Sequence, residues 1–597
     1  ASIGLPVRRW GGNAITRYHW QYDTTNRASD YFFENIPNDN PNPENLPNGS
    51  ASDLFHEQNL RTGTQTLLTV PTIGWLAKAR AFDCGFRVSK YGAQQATDEF
   101  QPDCGNGVLL NGDLVVGNDP ADTSITADPA FIQAWINHLI GRYGNANNGG
   151  VRFYNLDNEP FLWNTSHRDV YPLPLGYDGI RDMTYAYGAA VKAADPNAQI
   201  LGPGDWGWTA YFYSALDCDS LTPGNPCEDP SDRNAHGGIP FLDWYMQQMQ
   251  AYEQLNGTRL LDYIDVHFYP QNGVALNSDV TPAMAALRLR STRALWDPTY
   301  LDESWINDTV RLIPRLHAWV DDNYPGTKIA IGEYNWGALD TLNGALTQAD
   351  ILGIFGREAV DMALLWDVPG LNDPGAFAFR MYRNYDGAQT RFGETSIQAV
   401  SSDQATLAVY AAQRSSDDAL TVMVINKTST DLTSDLTLNS FPVAASAEVY
   451  RYSGADLSAI IRQPDQPISA LTSLTYPPES ITLLVIPINT VATELLVNSG
   501  FETEGDAGVP ANWTLTNATK DKRKCNKAGK PPVAHSEACA FQFTGTVGVK
   551  TTLTQLVPID GISPGATLVL SGWAYAKNVT IGGKLQVKLK YTDTTKA

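Results

Sequence analysis

Apolar, β-branched runs alternate with amphipathic stretches from the start of the chain to about Gly387. Strand-like runs fall near Leu5–Trp10, Thr66–Val70, Val151–Leu156, Gln199–Leu201, Tyr263–Phe268, Lys328–Ile331 and Met362–Trp366. Between them, apolar positions spaced three and four apart predict helices over Pro129–Tyr143, Ile180–Ala194, Ile239–Leu255, Val310–Asn323 and Thr347–Asp361. In the first of these, Phe131, Trp135, Leu139 and Ile140 share one face. Such alternation predicts an α/β chain with a parallel sheet closed into a TIM-like (β/α)8 barrel. Seven runs are visible where a closed barrel has eight strands, so the eighth is either hidden among them or lies upstream of Ala1.

Past Gly387 the period shortens to two. Alternating runs at Ala419–Asn426, Ala447–Tyr452 and Ser480–Ile488, bounded by Ser, Thr, Asn, Asp and Pro, predict an antiparallel β-sandwich that braces the barrel. A third pattern opens at Leu496-Val497-Asn498-Ser499-Gly500-Phe501-Glu502 and continues through Pro510-Ala511-Asn512-Trp513. It resembles the start of jelly-roll carbohydrate-binding modules, with strands expected at Ala566–Ala576 and Gly583–Lys590. The predicted organisation is therefore a catalytic barrel over 1–386, a β-sandwich over 387–492 and a jelly-roll-like β segment, incomplete in length, over 493–597. The basic cluster Lys520, Lys522, Arg523, Lys524, Lys527 and Lys530 reads as a solvated loop.

Charge narrows the partners. With 42 Lys+Arg against 64 Asp+Glu, the formal charge of −22 argues against nucleic acid and anionic membrane, whereas a neutral polymer is indifferent to it. No apolar run approaches the length of a membrane span. The 15 Trp and 27 Tyr would supply flat faces for sugar rings, although most belong to core and rim. Six cysteines form three local couples, Cys84 with Cys104, Cys218 with Cys227 and Cys525 with Cys539, the pairing expected in an oxidising compartment. No couple has zinc-site spacing. A secreted monomer, in mature or trimmed form, is the expectation.

Two segments carry the chemistry: Tyr154-Asn155-Leu156-Asp157-Asn158-Glu159-Pro160 and Ile331-Gly332-Glu333-Tyr334-Asn335-Trp336-Gly337. Each places a Glu where strand becomes loop, the end of a barrel strand at which sites gather. Glycosidic cleavage through an oxocarbenium-like transition state needs two such carboxyls, one to protonate the leaving oxygen and one to attack or to activate water. Glu159, beside an Asn158 amide suited to the sugar 2-hydroxyl, is the expected acid/base, and Glu333 the expected nucleophile. Arg9 and Tyr269, also at strand ends, are the expected donors that keep Glu333 ionised. His267 has no second His at ligand spacing and reads as a hydrogen-bonded histidine of the site or core. Trp206, Trp208, Trp336 and Trp366 are candidate stacking platforms, each of which packing would explain equally well. The oxygen-rich stretch 85–128, with Glu99, Asp113, Asp119 and Asp122, lacks EF-hand spacing; turn chemistry explains the same residues.

The segment Arg8-Arg9-Trp10-Gly11-Gly12-Asn13-Ala14-Ile15-Thr16-Arg17-Tyr18-His19-Trp20 adds a family pattern. With Leu67-Leu68-Thr69-Val70-Pro71, Asn158-Glu159-Pro160, His267-Phe268-Tyr269-Pro270 and Gly332-Glu333-Tyr334-Asn335, it resembles glycoside hydrolase family 44 over roughly Leu5 to Ile488. The resemblance implies retaining endo-action on β-1,4-glucans, including carboxymethylcellulose and xyloglucan, with side activity on xylan or mannan in some members. It implies Glu159 as acid/base, Glu333 as nucleophile, Asn13 among the substrate-binding residues, no cofactor for the chemistry, and a structural calcium at Glu99, Asp119 and Asp122. Trp10 and His19 depart from the usual pattern. A β-mannanase or xylanase on the same chemistry is the first alternative, and a non-catalytic glycan-binding protein the second.

Overall fold

The computed structural model describes residues 2–218, 227, 230–439, 441, 444–488, 495–535, 538–546, 548–557, 572, 573 and 575. The seven apolar runs form one parallel sheet whose strands follow chain order: β1 (Val7–Trp10), β2 (Gln65–Val70), β3 (Phe153–Leu156), β4 (Gln199–Asp205), β5 (Tyr263–Phe268), β6 (Lys328–Tyr334) and β7 (Met362–Leu365). The sheet curls into a nearly closed barrel. Its interior floor is Leu67, Phe153, Leu201, Tyr263, Ala330 and Met362, and Val7 from one edge strand and Leu364 from the other both pack on it. An eighth strand of this sheet is not found among the described residues.

Helices cover the outside: α1 (Ala51–Thr62), α2 (Pro129–Tyr143), α3 (Tyr177–Ala194), α4 (Phe241–Asn256), α5 (Pro282–Ser291), α6 (Leu312–Asn323), α7 (Leu342–Arg357) and α8 (Pro374–Arg383). Helix α2 starts where Asp128 accepts from the Phe131 N–H and Pro129 opens the first turn. Its buried stripe is Ile132, Trp135, Ile136 and Leu139, rotated slightly from the expected face. Helix α7 begins five residues earlier than Thr347, because Thr341 caps it by accepting from Gly344 N–H. Helices α1, α5 and α8 escaped the periodicity. In α1 the buried positions include Ser52, Asp53, His56 and Asn59, so its inner face is polar.

The antiparallel strands follow as β8 (Thr395–Ile397), β9 (Leu407–Gln413), β10 (Leu420–Asn426), β11 (Leu432–Thr437), β12 (Ser446–Ser453), β13 (Asp456–Pro467), β14 (Leu471–Tyr476) and β15 (Ser480–Ile486). They build a six-stranded sheet in the order β8-β9-β10-β15-β12-β13 and a separate β11-β14 pair. The sheet lies against α7 and α8. Phe377 of α8 stacks on Tyr452 of β12 at 4.9 Å between ring centroids, and Tyr410 of β9 donates to Asp350 of α7 at 2.7 Å. Asp350 also meets Lys427 at 2.7 Å, with only 2% and 5% of the two side chains exposed.

A second compact unit comprises 438–444 and 489–597. Within it β16 (Thr514–Thr516) pairs with β19 (Thr552–Thr554), and β17 (Lys522–Cys525) with β18 (Cys539–Gln542). Lys522, Arg523 and Lys524 thus stand on a strand rather than a loop, and Arg523 donates to the carbonyls of Phe501 and Glu502 at 2.5 and 2.6 Å. The strands expected at Ala566–Ala576 and Gly583–Lys590 fall almost wholly outside the described residues. All three cysteine couples are disulfides with the expected pairing. No described helix is long and apolar enough to cross a membrane.

Candidate active site

Glu159 sits just past β3 in the left-handed region, at φ 43°, two residues after Asp157 at φ 71°. Such conformations are costly for residues with a Cβ and need outside support. Asp157 supplies it: Oδ2 accepts from Thr72 N–H at 2.5 Å, Thr72 hydroxyl at 3.1 Å and Ile73 N–H at 3.2 Å, while Oδ1 accepts from Asn158 N–H. Glu159 N–H donates to Gly204 O, and Trp163 Nε1 donates to Asn158 O. The turn is thereby fixed on both sides.

Opposite it, a bulge after Val266 in the β5–β6 ladder shifts the register so that His267 faces Glu333. Bulges re-aim side chains in this way beside active sites. His267 Nδ1 lies 2.8 Å from Glu159 Oε1 and 3.4 Å from Glu333 Oε2. Arg9 Nη1 donates to Glu333 Oε1 at 2.5 Å, Arg9 Nη2 to Asn158 Oδ1 at 2.7 Å, and Tyr269 hydroxyl to Glu333 Oε2 at 2.8 Å. Asn158 Nδ2 donates to Asn13 Oδ1, leaving its second N–H for another acceptor. One ligand-type atom from each of Glu159, His267 and Glu333 lies within 4.8 Å of the others. Arg9 already supplies a cation on Glu333, so the spacing suits a shared proton.

These surroundings split the two carboxyls. Burial lifts Glu159 above its ordinary value, His267 pulls it back, and the Glu333 charge adds to the rise. Burial would lift Glu333 as well, but His267, Arg9 and Tyr269 hold it below the ordinary carboxylate value. Burial disfavours charge on His267, yet Glu333 and Glu159 outweigh it and raise the imidazole. The surroundings therefore favour the proton on Glu159 and the negative charge on Glu333, the division needed for acid and nucleophile.

The expected residues Arg9, Asn13, Asn158, His267 and Tyr269 all converge on the two glutamates. The tryptophans divide. Trp366, at the end of β7, is 42% exposed, and its ring stands where a Cβ on Gly12 would meet it at 2.9 Å. Trp206 and Trp208 are half-buried against the main core. Trp336 is not a platform: it is buried, tilts against Phe268 at 5.8 Å and donates from Nε1 to Ser291 Oγ.

Glu99, Asp119 and Asp122 are not gathered around a common point. Glu99 is exposed; Asp119 Oδ1 accepts from Ala121 N–H; Asp122 is taken by Lys90 at 2.6 Å and Tyr91 at 2.7 Å. They do not fit a calcium ion. Glu34 and Asp98 are buried, and burial together with Asp98 pushes Glu34 up to about 8.

Sequence reasoning missed Asn155, Asp205 and Asp265, which line the barrel interior beneath the glutamates. Their signal was polar residues at inward positions of otherwise apolar strands, two before His267 in the case of Asp265.

The family model of glycoside hydrolase family 44 matches residues 24–272, a span that holds Glu159 and His267. Among solved structures, CelM2, a bifunctional glucanase-xylanase protein from a metagenome library, is 44% identical with a TM-score of 0.78, covering 82% of this chain and 93% of CelM2. The family 44 xyloglucanase of Paenibacillus polymyxa is 29% identical with a TM-score of 0.67, covering 81% of this chain and 94% of the xyloglucanase. Endoglucanase A of Paenibacillus lautus is 30% identical over 441 residues, 70% of this chain, and the chain spans only 59% of that relative's length. The family match across β2–β5 and the likeness over nearly all of CelM2 coincide with the strands that carry the paired glutamates, and the chain belongs to glycoside hydrolase family 44.

Proposed function

We propose that the chain is a retaining, endo-acting glycoside hydrolase that cleaves β-1,4-glucan backbones, cellulose derivatives and xyloglucan among them. The observation that carries this is two facing carboxyls in unlike surroundings, Glu159 against His267 and Glu333 held by Arg9 and Tyr269. An oxygen of one lies within 4.8 Å of an oxygen of the other, near the retaining separation of about 5–5.5 Å and short of the roughly 6.5–9.5 Å that inversion requires. Glu333 attacks the anomeric carbon while Glu159 protonates the departing oxygen. The glycosyl-enzyme is then opened by a water whose proton returns to Glu159. Arg9 and Tyr269 keep Glu333 ionised until attack and receive it as leaving group, and the free N–H of Asn158 is placed for the sugar 2-hydroxyl. Trp366 offers its open face to a sugar ring. The three disulfides support a secreted location, and a monomer suffices because the described site draws on one chain.

The test is reducing-end release from carboxymethylcellulose, xyloglucan, xylan and mannan, with Glu333→Ala alongside and the anomer of the first product followed by proton NMR. Glucan cleavage lost in the variant, with the β-anomer formed first, is the expected result. Hydrolysis retained by Glu333→Ala, or a first product of inverted configuration, sinks the assignment. Xylan is the second reading, favoured by the description of CelM2 as a glucanase-xylanase. Mannan follows on the same chemistry, and binding without turnover on any substrate would favour a glycan-binding protein.

A further inference from the structure

The barrel floor is apolar, but on three of its strands the inward position two residues further along is polar. Leu67 gives way to Thr69, Phe153 to Asn155 and Tyr263 to Asp265, while Ala330 gives way to Gly332. One step higher stand Asp205 and His267. Asn155, Asp205, Asp265 and His267 are all fully buried. Six of their polar atoms have no hydrogen-bond partner: Asn155 Nδ2 and Oδ1, Asp265 Oδ1 and Oδ2, Asp205 Oδ2 and His267 Nε2. Buried polar groups are almost always satisfied, and where protein does not do it, enclosed water does.

Glycines leave the room. A Cβ on Gly332 would lie 2.4 Å from Asp265 Oδ1, and one on Gly204 would lie 3.3 Å from both Asn155 amide atoms. The layer is therefore shaped around these polar side chains.

Charge counting gives it a purpose. His267 is faced by Glu159 from the turn after β3, Glu333 from β6, Arg9 from β1 and Asp205 from β4, with Asp265 two residues before it on β5. Tyr211 hydroxyl donates to the His267 carbonyl and Tyr269 hydroxyl to Glu333. Two cations, Arg9 and an imidazolium at His267, are balanced by two anions, Glu333 and Asp265, if Glu159 and Asp205 each keep a proton. Burial pushes Asp205 well up, with Glu159 adding to the rise, whereas His267 and Arg9 restrain Asp265 to about 6. The neutral pair and the charged pair thus sort themselves by position.

Given the acid/base role of Glu159, we propose that water fills this layer and that Asp265, through it, is the counter-ion that keeps His267 an imidazolium donating to Glu159. Asp265 is a positioning residue: it sets the charge state of the group that holds the acid/base, without reaching the substrate.

The experiment uses the full chain labelled with 15N at histidine, the His267 signals being assigned by their loss in His267→Gln. In the wild type, both ring nitrogens should remain protonated at about pH 7.5, one unit above the ordinary imidazole value of about 6.5. Asp265→Asn, nearly isosteric, should lower the His267 titration by about 1–3 pH units, the worth of one close opposite charge. Asp205→Asn should leave it an imidazolium. The basic limb of kcat/KM on carboxymethylcellulose, which follows Glu159, should move up in Asp265→Asn as the imidazolium that pulls Glu159 down is lost, while KM stays near wild type. A wild-type His267 already neutral at that pH, or one that titrates identically in Asp265→Asn, overturns the proposal. The wild-type titration decides even if Asp265→Asn does not fold. A high-resolution crystal structure without ordered water near Asn155, Asp265 and His267 Nε2 overturns the water-filled layer. The NMR result is independent of turnover, so failure of the hydrolase assignment would appear separately, as an active-site charge state without glucan cleavage.

Discussion

Replacing Asp350 with alanine should uncouple the barrel from the antiparallel sheet. Asp350 Oδ2 accepts from Lys427 Nζ at 2.7 Å and from Thr292 hydroxyl at 2.7 Å, and Oδ1 accepts from Tyr410 hydroxyl at 2.7 Å. Four elements of the chain meet on one carboxylate out of reach of solvent. A buried pair of this kind contributes little net stability relative to an apolar replacement, because desolvation offsets the Coulomb attraction. Removing one member is different: Lys427 would be left charged and unpaired, at a cost of about 3–5 kcal/mol, with up to about 1–3 kcal/mol more for each hydroxyl that loses its acceptor. The assay is urea unfolding followed by tryptophan fluorescence, where a loss of about 3 kcal/mol moves the first midpoint by on the order of 1 M. The double variant Asp350→Leu with Lys427→Met removes both charges and should recover most of that loss. A midpoint for Asp350→Ala within about 0.3 M of wild type, or a double variant no better than the single one, would refute the reasoning.

Other expectations concern the site and its surroundings. The rate should be bell-shaped in pH, falling in acid as Glu333 is protonated at its depressed value and in base as Glu159 loses its proton at its raised one. Tyr269→Phe removes a charge-assisted hydrogen bond worth about 1.5–3 kcal/mol and should move the acid limb up by about 1–2 pH units; a limb that stays in place contradicts the donor role. Trp366→Ala should raise KM on soluble glucans roughly tenfold, the worth of about 1.4 kcal/mol of covered ring, whereas Trp336→Ala should cost about 3–5 kcal/mol of stability, visible in the thermal melt. The stability that a protonated Glu34 lends is present below its ordinary value of 4.5 and lost as pH rises through about 8, so Glu34→Gln should flatten the decline of melting temperature across that window.

Much of this architecture can be read from the chain. Barrel strands such as β2, β5 and β6 announce themselves because they are buried on both faces and carry β-branched residues, and Glu159 and Glu333 stand out as paired glutamates where two such runs give way to loop. The strand ends are less legible. Gly202-Pro203-Gly204 reads as a turn, yet β4 runs through it to Asp205, since in a barrel the neighbouring strands hold a segment that local propensity would release. Trp336 and Trp366 look alike in sequence, and only tertiary packing separates the buried ring from the open one. Asp265 was hidden for a related reason: a carboxylate inside an apolar strand looks like an interruption until neighbouring residues show that it faces His267 and Arg9. Helix α1 escaped because its inner face makes hydrogen bonds, such as His56 Nδ1 and Asn59 Nδ2 to Thr66 Oγ1, in place of apolar contacts.

The apolar floor of the barrel does more than close its base. Leu67, Phe153, Leu201, Tyr263, Ala330 and Met362 form an apolar plug under the titratable groups, a poor route for hydrated ions or proton-carrying water, so the mouth is the favoured route for their protons. A glycan lying across that mouth would narrow the remaining route. While it stayed there, a proton leaving Glu159 would pass more readily to a neighbour within the same walls than to the medium. Such an enclosure would work as a half-sealed cell, whose starting charge is chosen by the pH of the medium before the sugar enters.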